Sequence, residues 1–560
     1  MRPETPRTLA DAYVETLADL DPLVGTMLGI RPGSDELPDF SPDGLAAIAA
    51  AQRATLARLD ALGDAAAEGV GSADAAVERR AARLLRERLG ALLALDEAGE
   101  NLRQVSNLFA PPQQLRSVFL QMPAATPDDW AVIGRRLGNV PAALASYRAS
   151  LQEGARRGLT AAPRQAETMA GQLDALLEAD WFRDFASGGP EAQRAELTAA
   201  AGRATEALAA LRSYLREEYL PAAAGTPDAV GAERYRLGAR RWTGSEVDTA
   251  DAYAYGWAEF HRLEAEMRSV AGRILPGEPT AAVLAHLERE GEAIEGVEEI
   301  RAWLQDLMNE AIDALDGTHF DLAEPVRRVE ARVAPPGSAA APYYTRPSLD
   351  FSRPGMTWLP TQGATRFPVW HLVSTWYHEG VPGHHLQLAQ WVHVKERLSR
   401  FQVSVGSVSA TTEGWALYAE RLMDELGFLS DPARRLGYLS GQMVRAVRVI
   451  IDIGMHLGLT IPANEEFHPG EVWTPRLAAE FFALHTGHDA AYTESEIVRY
   501  LGMPGQAISY KMGERAWVAG REAARAAAGA AFDPKSWHMA ALSLGSLGLD
   551  DLTAELSTLG

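Results

Sequence analysis

Apolar residues recur at spacings of three and four through the first 320 or so positions. Leu56, Leu59 and Leu62 show the pattern, as do Leu84, Leu85, Leu89 and Leu92. That period marks successive amphipathic helices. Ala, Leu and Arg dominate the region, and all three are strong helix formers. Pro123, Pro127, Pro141, Pro163, Pro190 and Pro221 are expected at helix boundaries, because proline has no N–H to donate inside a helix. The Ala-rich stretch 196–210 reads as a helix whose small side chains permit close packing. No fixed-period repeat of the solenoid kind is present.

The texture changes over about 321–368. Val326, Val329, Ala331 and Val333 precede a Pro/Gly-rich stretch, which is followed by Gly355-Met356-Thr357-Trp358-Leu359. These segments predict a small β-sheet. From Val369 the helical period returns. It predicts one helix carrying His378, one starting near Glu413, a long one over 431–458, and others over 475–486 and 504–529. The fold class expected is mainly α, a large multi-helix fold with one small sheet.

Composition narrows the options. The chain has 560 residues, 47% hydrophobic and 23% charged, the balance of an ordinary globular protein large enough for more than one domain. Its 53 basic and 75 acidic residues leave a net charge of −22, which disfavours nucleic acid and anionic membrane as partners. There is no cysteine, so disulfides, thiolate nucleophiles and Cys-based zinc sites are excluded. No apolar stretch approaches the 20 or so residues of a membrane span. The start, Met1-Arg2-Pro3-Glu4-Thr5-Pro6-Arg7, lacks the apolar core of a signal peptide. On those grounds the expected location is the cytoplasm.

The most telling segment is His378-Glu379-Gly380-Val381-Pro382-Gly383-His384-His385. A His-Glu pair with further histidines close by suggests two imidazoles holding a metal while the carboxylate activates water. In the common motif the histidines sit four residues apart, on one helical face. Here the fourth residue is Pro382, and a straight helix would carry His384 roughly 9 Å along the axis and about 120° around it. The backbone must therefore be distorted. Pro382 breaks the hydrogen-bond ladder, and Gly383, able to take positive φ, with Gly380 beside it, would loop the chain out and return a histidine to the metal. Either His384 or His385 can be that histidine. His384 is preferred because a Gly-His pair ends many short zinc-peptidase motifs.

A third ligand must come from elsewhere. The best candidate is Glu413, in Thr411-Thr412-Glu413-Gly414-Trp415-Ala416-Leu417-Tyr418, read as a helix opened by the threonines. The segment is similar to the one supplying the glutamate ligand in gluzincin aminopeptidases. A first-turn acid that only favours the helix dipole is the alternative.

Several blocks in order carry a wider resemblance. They are Leu20-Asp21-Pro22-Leu23, Leu28-Gly29-Ile30 and Leu37-Pro38-Asp39-Phe40-Ser41-Pro42 near the start, and Tyr343-Tyr344-Thr345-Arg346-Pro347-Ser348 with Ser352-Arg353-Pro354-Gly355 in the middle. Pro382-Gly383-His384-His385-Leu386-Gln387 and the Glu413 segment follow. Arg499-Tyr500-Leu501-Gly502-Met503-Pro504-Gly505-Gln506-Ala507 and Ser509-Tyr510-Lys511-Met512-Gly513 come last. Together they resemble the bacterial domain-of-unknown-function 885 family, placed among gluzincin-like zinc metallopeptidases. The resemblance implies a mostly helical metal-dependent hydrolase acting on peptides. It also implies that the sheet borders the active-site cleft.

On this reading residues 1–245 form an N-terminal helical part covering the cleft. Residues 246–560 form the catalytic part, with the sheet (321–368) and the metal-binding helices. Zn2+, with Mn2+ or Co2+ as substitutes, is expected on His378, His384 and Glu413, and Glu379 is expected as general base. Tyr510 is the first choice of oxyanion donor, with Tyr500 and His456 as rivals. Arg445, Arg448 and Asp452 share one face of the 431–458 helix. Arg448 is the candidate for a substrate's terminal carboxylate, and Asp452 reads as a structural strut. His371, seven residues before His378, is a candidate supporting residue, and Trp376 and Trp415 are candidate cleft walls. The expected substrate is a short peptide or peptide-like amide. The competing readings are a metal-dependent hydrolase of a non-peptide ester or amide, and a non-catalytic helical scaffold with a degenerate metal site.

Overall fold

Wherever apolar positions follow the 3.6-residue period the backbone is almost always helical, in a computed structural model that describes residues 4–63, 72–334 and 341–559. The chain divides into two compact units. One comprises Met1–Leu237 with Ser495–Pro504, the other Gly238–Glu494 with Gly505–Gly560.

The first unit has no strand among its described residues. Its core runs through the helices Pro127–Arg156, Pro163–Glu178 and Arg194–Tyr214. Leu137, Val140, Leu144 and Leu151 of the first helix pack with Met169 and Leu173 of the second and with Ala201, Ala204 and Leu208 of the third. The small alanines lie at the helix contact and let the backbones approach, as their spacing predicts.

Four of the six prolines sit at or beside helix ends, and two do not. Pro127 and Pro163 open helices, where a missing N–H costs nothing. Pro141 instead lies inside Pro127–Arg156. Pro221 is the second residue after a π-helical turn, Leu215–Tyr219, in a run that stays helical. Each removes one ladder hydrogen bond without ending its helix, because burial of the neighbouring apolar face outweighs the local loss.

The second unit holds all the strands among the described residues. β1 (Ala293–Glu295) pairs antiparallel with β5 (Arg366–Pro368). β2 (Val329–Val333), β4 (Gly355–Leu359) and β3 (Tyr343–Thr345) form a separate sheet in the order β2-β4-β3, parallel then antiparallel. The single sheet expected over 321–368 is therefore two small ones, and β1 lies outside that range. The first strand also begins at Val329, leaving Val326 in a turn.

The α-helices after Val369 are Leu372–Glu379, His384–His393, Ser409–Glu425, Pro432–Leu457, Pro475–Thr486, Ala490–Gly502, Ser509–Ala528, Pro534–Leu542 and Leu549–Ser557. The 509–528 helix starts later than the pattern predicts because Gly505, at φ 78°, holds a left-handed turn. The 409–425 and 509–528 helices cross at Gly414 and Gly513. A Cβ on either glycine would overlap the other helix's backbone, so only glycine permits this crossing.

Candidate metal centre

The distorted motif is resolved by a complete break. The first helix stops at Glu379 and the next begins at His384, so four residues turn the chain and re-aim it. The Val381–Pro382 peptide is cis. The glycines serve close approach rather than positive φ, contrary to expectation: Gly383 has φ −75° and Gly380 φ −101°. A Cβ on Gly383 would collide with the carbonyls of Tyr377 and His378, and one on Gly380 with Met308. The turn is clamped from outside, since the Trp415 indole donates to the carbonyls of Pro382, at 2.9 Å, and Gly383, at 3.1 Å. Trp415 and Trp376 are fully buried. They are core residues, not walls of an open cleft.

This turn brings the rings of His378 and His384 to 4.8 Å between centres. Glu413 joins them from the 409–425 helix, whose start at Ser409 puts the glutamate in the second turn. A role confined to the helix dipole therefore loses its basis. One ligand atom from each of the three residues lies within 4.8 Å of the others. Glu413 Oε2 is 3.5 Å from His378 Nε2 and 3.5 Å from His384 Nε2. That is longer than a charge-assisted hydrogen bond, which runs about 2.7–2.9 Å. Two ligands of one zinc, each about 2.1 Å from the ion at a tetrahedral angle, stand roughly 3.4 Å apart. The spacing and the N,N,O donor set fit a divalent metal such as zinc.

His378 is oriented from behind. Its Nδ1 donates to Glu420 Oε1 at 2.8 Å, and Ser374 donates to Glu420 Oε2 at 2.5 Å. In the neutral imidazole this fixes the proton on Nδ1 and turns Nε2 toward Glu413. Burial alone would lower the His378 pKa, yet the neighbouring Glu413, Glu420 and Glu379 carboxylates raise it to about 10. Burial alone would raise Glu413, but the two histidines hold it well below the usual carboxylate range. His384 Nδ1, by contrast, is buried without a partner among the described residues.

Glu379 is buried at the C-terminal end of its helix. Burial pushes its carboxyl pKa up, helped by the Glu413 charge and opposed by His378, His384 and Arg445. His385 stands apart from the cluster. Its Nε2 donates to the Val326 carbonyl at 2.6 Å, and its Nδ1 meets the Tyr344 hydroxyl of β3 at 2.9 Å. Both nitrogens are engaged, and burial lowers its pKa to about 4. His385 thus ties the motif to the three-stranded sheet.

Tyr510 lies at the start of the 509–528 helix, buried, with the Arg448 guanidinium 5.0 Å and the Arg445 guanidinium 6.0 Å from its ring centre. Arg448 is itself buried, at 5% exposure. Asp452 Oδ2 accepts from the Gly505 N–H at 3.1 Å, and His456 Nε2 lies 3.8 Å from Asp452 Oδ1. Tyr500 belongs to the first unit and donates to Glu496 one turn earlier. His371 precedes the 372–379 helix and packs against Trp370, two turns before His378.

Glu420 and Ser374 were not singled out from the sequence, though the signal was present. Glu420 follows Glu413 by seven residues, and Ser374 precedes His378 by four, so each shares a helical face with a candidate ligand.

No curated protein matches the chain. Two solved structures share its fold. "The crystal structure of the putative lipoprotein from Colwellia psychrerythraea" has a TM-score of 0.82 at 21% identity, covering 98% of each chain. "The structure of a putative lipoprotein of unknown function from Shewanella oneidensis" has a TM-score of 0.73 at 18% identity, covering 99% of this chain and 100% of that one. Both descriptions point to an anchored or secreted protein and overturn the cytoplasmic location expected from the N-terminal residues. Residues 22–556 match one family model. With the blocks from Leu20 to Gly513 in order and nearly the whole length matched, the chain belongs to the family described as bacterial protein of unknown function, DUF885.

Proposed function

We propose that this protein is a gluzincin-type metallopeptidase that hydrolyses short peptides or peptide-like amides. His378, His384 and Glu413 would hold zinc, with manganese or cobalt as possible substitutes. The observation that carries the reading is the convergence of these three ligand atoms within 4.8 Å, next to a buried Glu379 whose proton affinity is raised.

A bound divalent metal supplies Lewis acidity, polarising the scissile carbonyl and lowering the pKa of water. The remaining work falls to the side chains. Glu420 and Ser374 hold His378 in one tautomer and orientation. Glu379 takes a proton from the attacking water at a carboxylate oxygen and returns it to the leaving amine nitrogen. Its raised pKa suits both halves of that exchange. The Tyr510 hydroxyl donates to the developing oxyanion, and the stacked Arg448 keeps the phenol in place. The sheet β2-β4-β3, anchored through Tyr344 and His385, borders the substrate cleft. The lipoprotein descriptions of both structural neighbours support placing this activity outside the cytoplasm.

The test is cleavage of a mixed short-peptide library by the zinc-loaded protein, read by mass spectrometry against Glu379→Gln. Loss of the base is expected to reduce cleavage by about 10²–10⁴-fold, with zinc still bound. Cleavage equal in the two proteins would sink the mechanism. Absence of peptide cleavage alongside hydrolysis of acyl esters would move the reading to a non-peptide hydrolase.

A further inference from the structure

Most charged side chains in the interior of the second unit are answered by an opposite charge. Lys511 Nζ meets Glu259 and Glu514 at 3.0 and 2.7 Å, and Arg421 Nε meets Glu514 at 2.9 Å. Arg262 pairs with Glu259 and Glu266. Arg445, on the 432–457 helix, differs from all of them. It is half-buried, its Nη1 donates to the Gly441 carbonyl one turn back at 3.0 Å, and its Nε is buried without a hydrogen-bond partner among the described residues.

Its place in the site follows from three observations. The point a Cβ would take on Gly441 lies 3.1 Å from Arg445 Nη1 and 3.9 Å from Glu420 Oε2, so only the space over Gly441 separates the guanidinium from the carboxylate that orients His378. Both oxygens of that carboxylate are already committed, to His378 and Ser374. The Arg445 guanidinium also lies 6.0 Å from the ring centre of Tyr510. A half-buried guanidinium with no carboxylate at ion-pair distance among the described residues is suited to a carboxylate brought in by a ligand. Arg448, three residues on, is buried against the same ring, which leaves Arg445 as the more accessible of the two.

We infer that Arg445 binds a carboxylate of the substrate, and that this carboxylate is the free C-terminus of a short peptide. The inference deepens the peptidase reading by naming the end of the substrate that is recognised, and it rests on that reading only for the identity of the ligand. The same fork would accept an acidic side chain, so the test separates the two sources.

The measurement is calorimetric binding to the metal-free wild-type protein, repeated with the zinc-loaded Glu379→Gln protein, in which turnover is expected to be about 10²–10⁴-fold slower. The probes are trialanine, trialanine C-terminal amide and Ala-Glu-Ala amide, each at millimolar concentration. Trialanine is expected to bind about tenfold or more tightly than its amide, and Arg445→Gln to remove that difference. Arg445→Lys, which keeps the charge and loses the fork, is expected to restore part of it. Circular dichroism of both variants shows whether the fold is kept. Preference for the glutamate-containing amide, lost in Arg445→Gln, would keep the carboxylate site and reassign its source to a side chain. Equal binding of acid and amide, no binding of any probe, or a preference that survives Arg445→Gln would overturn the inference. None of these outcomes depends on hydrolysis, so the inference can fail while the peptidase reading stands, and the reverse.

Discussion

The interiors of the two units are built on different principles. The 127–156, 163–178 and 194–214 helices of the first unit meet mainly through Leu, Val, Met and Ala; Arg136, Glu78 and Arg88 are its buried charges among the described residues outside 495–504, and pairs such as Arg194 with Glu191 are exposed. The second unit buries Glu379, Glu420, Asp452, Lys511 and Glu514, most of them fully. Burying a charge is costly unless it is paired and hydrogen-bonded, and an apolar replacement of similar shape is often at least as stable. Stability alone does not account for the second arrangement. Two of these buried charges, Glu420 and Glu379, act on the His378, His384 and Glu413 cluster: one orients an imidazole and the other shifts with the cluster's charges.

The largest break in this contrast is expected from Lys511→Met. It leaves Glu259 and Glu514 facing each other without their shared cation, at a cost of about 3–5 kcal/mol, read by denaturant unfolding at neutral pH. The pH dependence follows from Glu259. Burial raises its carboxyl pKa, but Arg262 and Lys511 prevail and bring it down from 4.5 to about 2. A depressed carboxyl contributes stability that is complete above its unfolded value and is lost as pH falls through the folded one. The deficit of the variant should therefore be full above pH 4.5 and shrink towards pH 2. A deficit independent of pH would mean the loss is one of packing.

In the first unit, Leu137→Ala removes a side chain with 0% exposure and is expected to cost about 2–5 kcal/mol through the cavity left behind. Zinc affinity measured by competition with a chelator should not change. A matching fall in zinc affinity would show that the apolar interior sets the geometry of the cluster after all.

The smallest effect is expected at the hydrogen bond behind His378. Glu420→Gln keeps an acceptor but loses the charge, and should weaken zinc by about tenfold, the low end of what such supporting groups contribute. The same competition assay reads it. Unchanged affinity would show that His378 is positioned by packing alone, as His384 is.

Much of this architecture was legible along the chain. The helices 432–457 and 475–486 lie within a residue or so of the 3.6-residue pattern, because long periodic segments combine propensity with one buried face. Boundaries failed where tertiary contacts outweighed local rules. Pro141 sits inside a helix because the apolar face around it is buried. β1 was missed because three residues with no alternating burial carry no strand signal, and they pair only with the distant β5. His378, Glu379 and Glu413 stood out by residue type and spacing. Glu420 did not, since a glutamate on a helix is ordinarily a solvated side chain.

By itself the sequence determined the residue types of the cluster, the need to break the helix at Pro382, and the mainly helical class. Those follow from covalent geometry and periodicity, which are local. Only the tertiary structure decided between His384 and His385, because the choice turns on which imidazole has a nitrogen left over. Val326 and Tyr344, distant in sequence, occupy both nitrogens of His385. It also decided that Gly380 and Gly383 serve contact rather than positive φ, since the atoms a Cβ would strike come into place only when the chain packs.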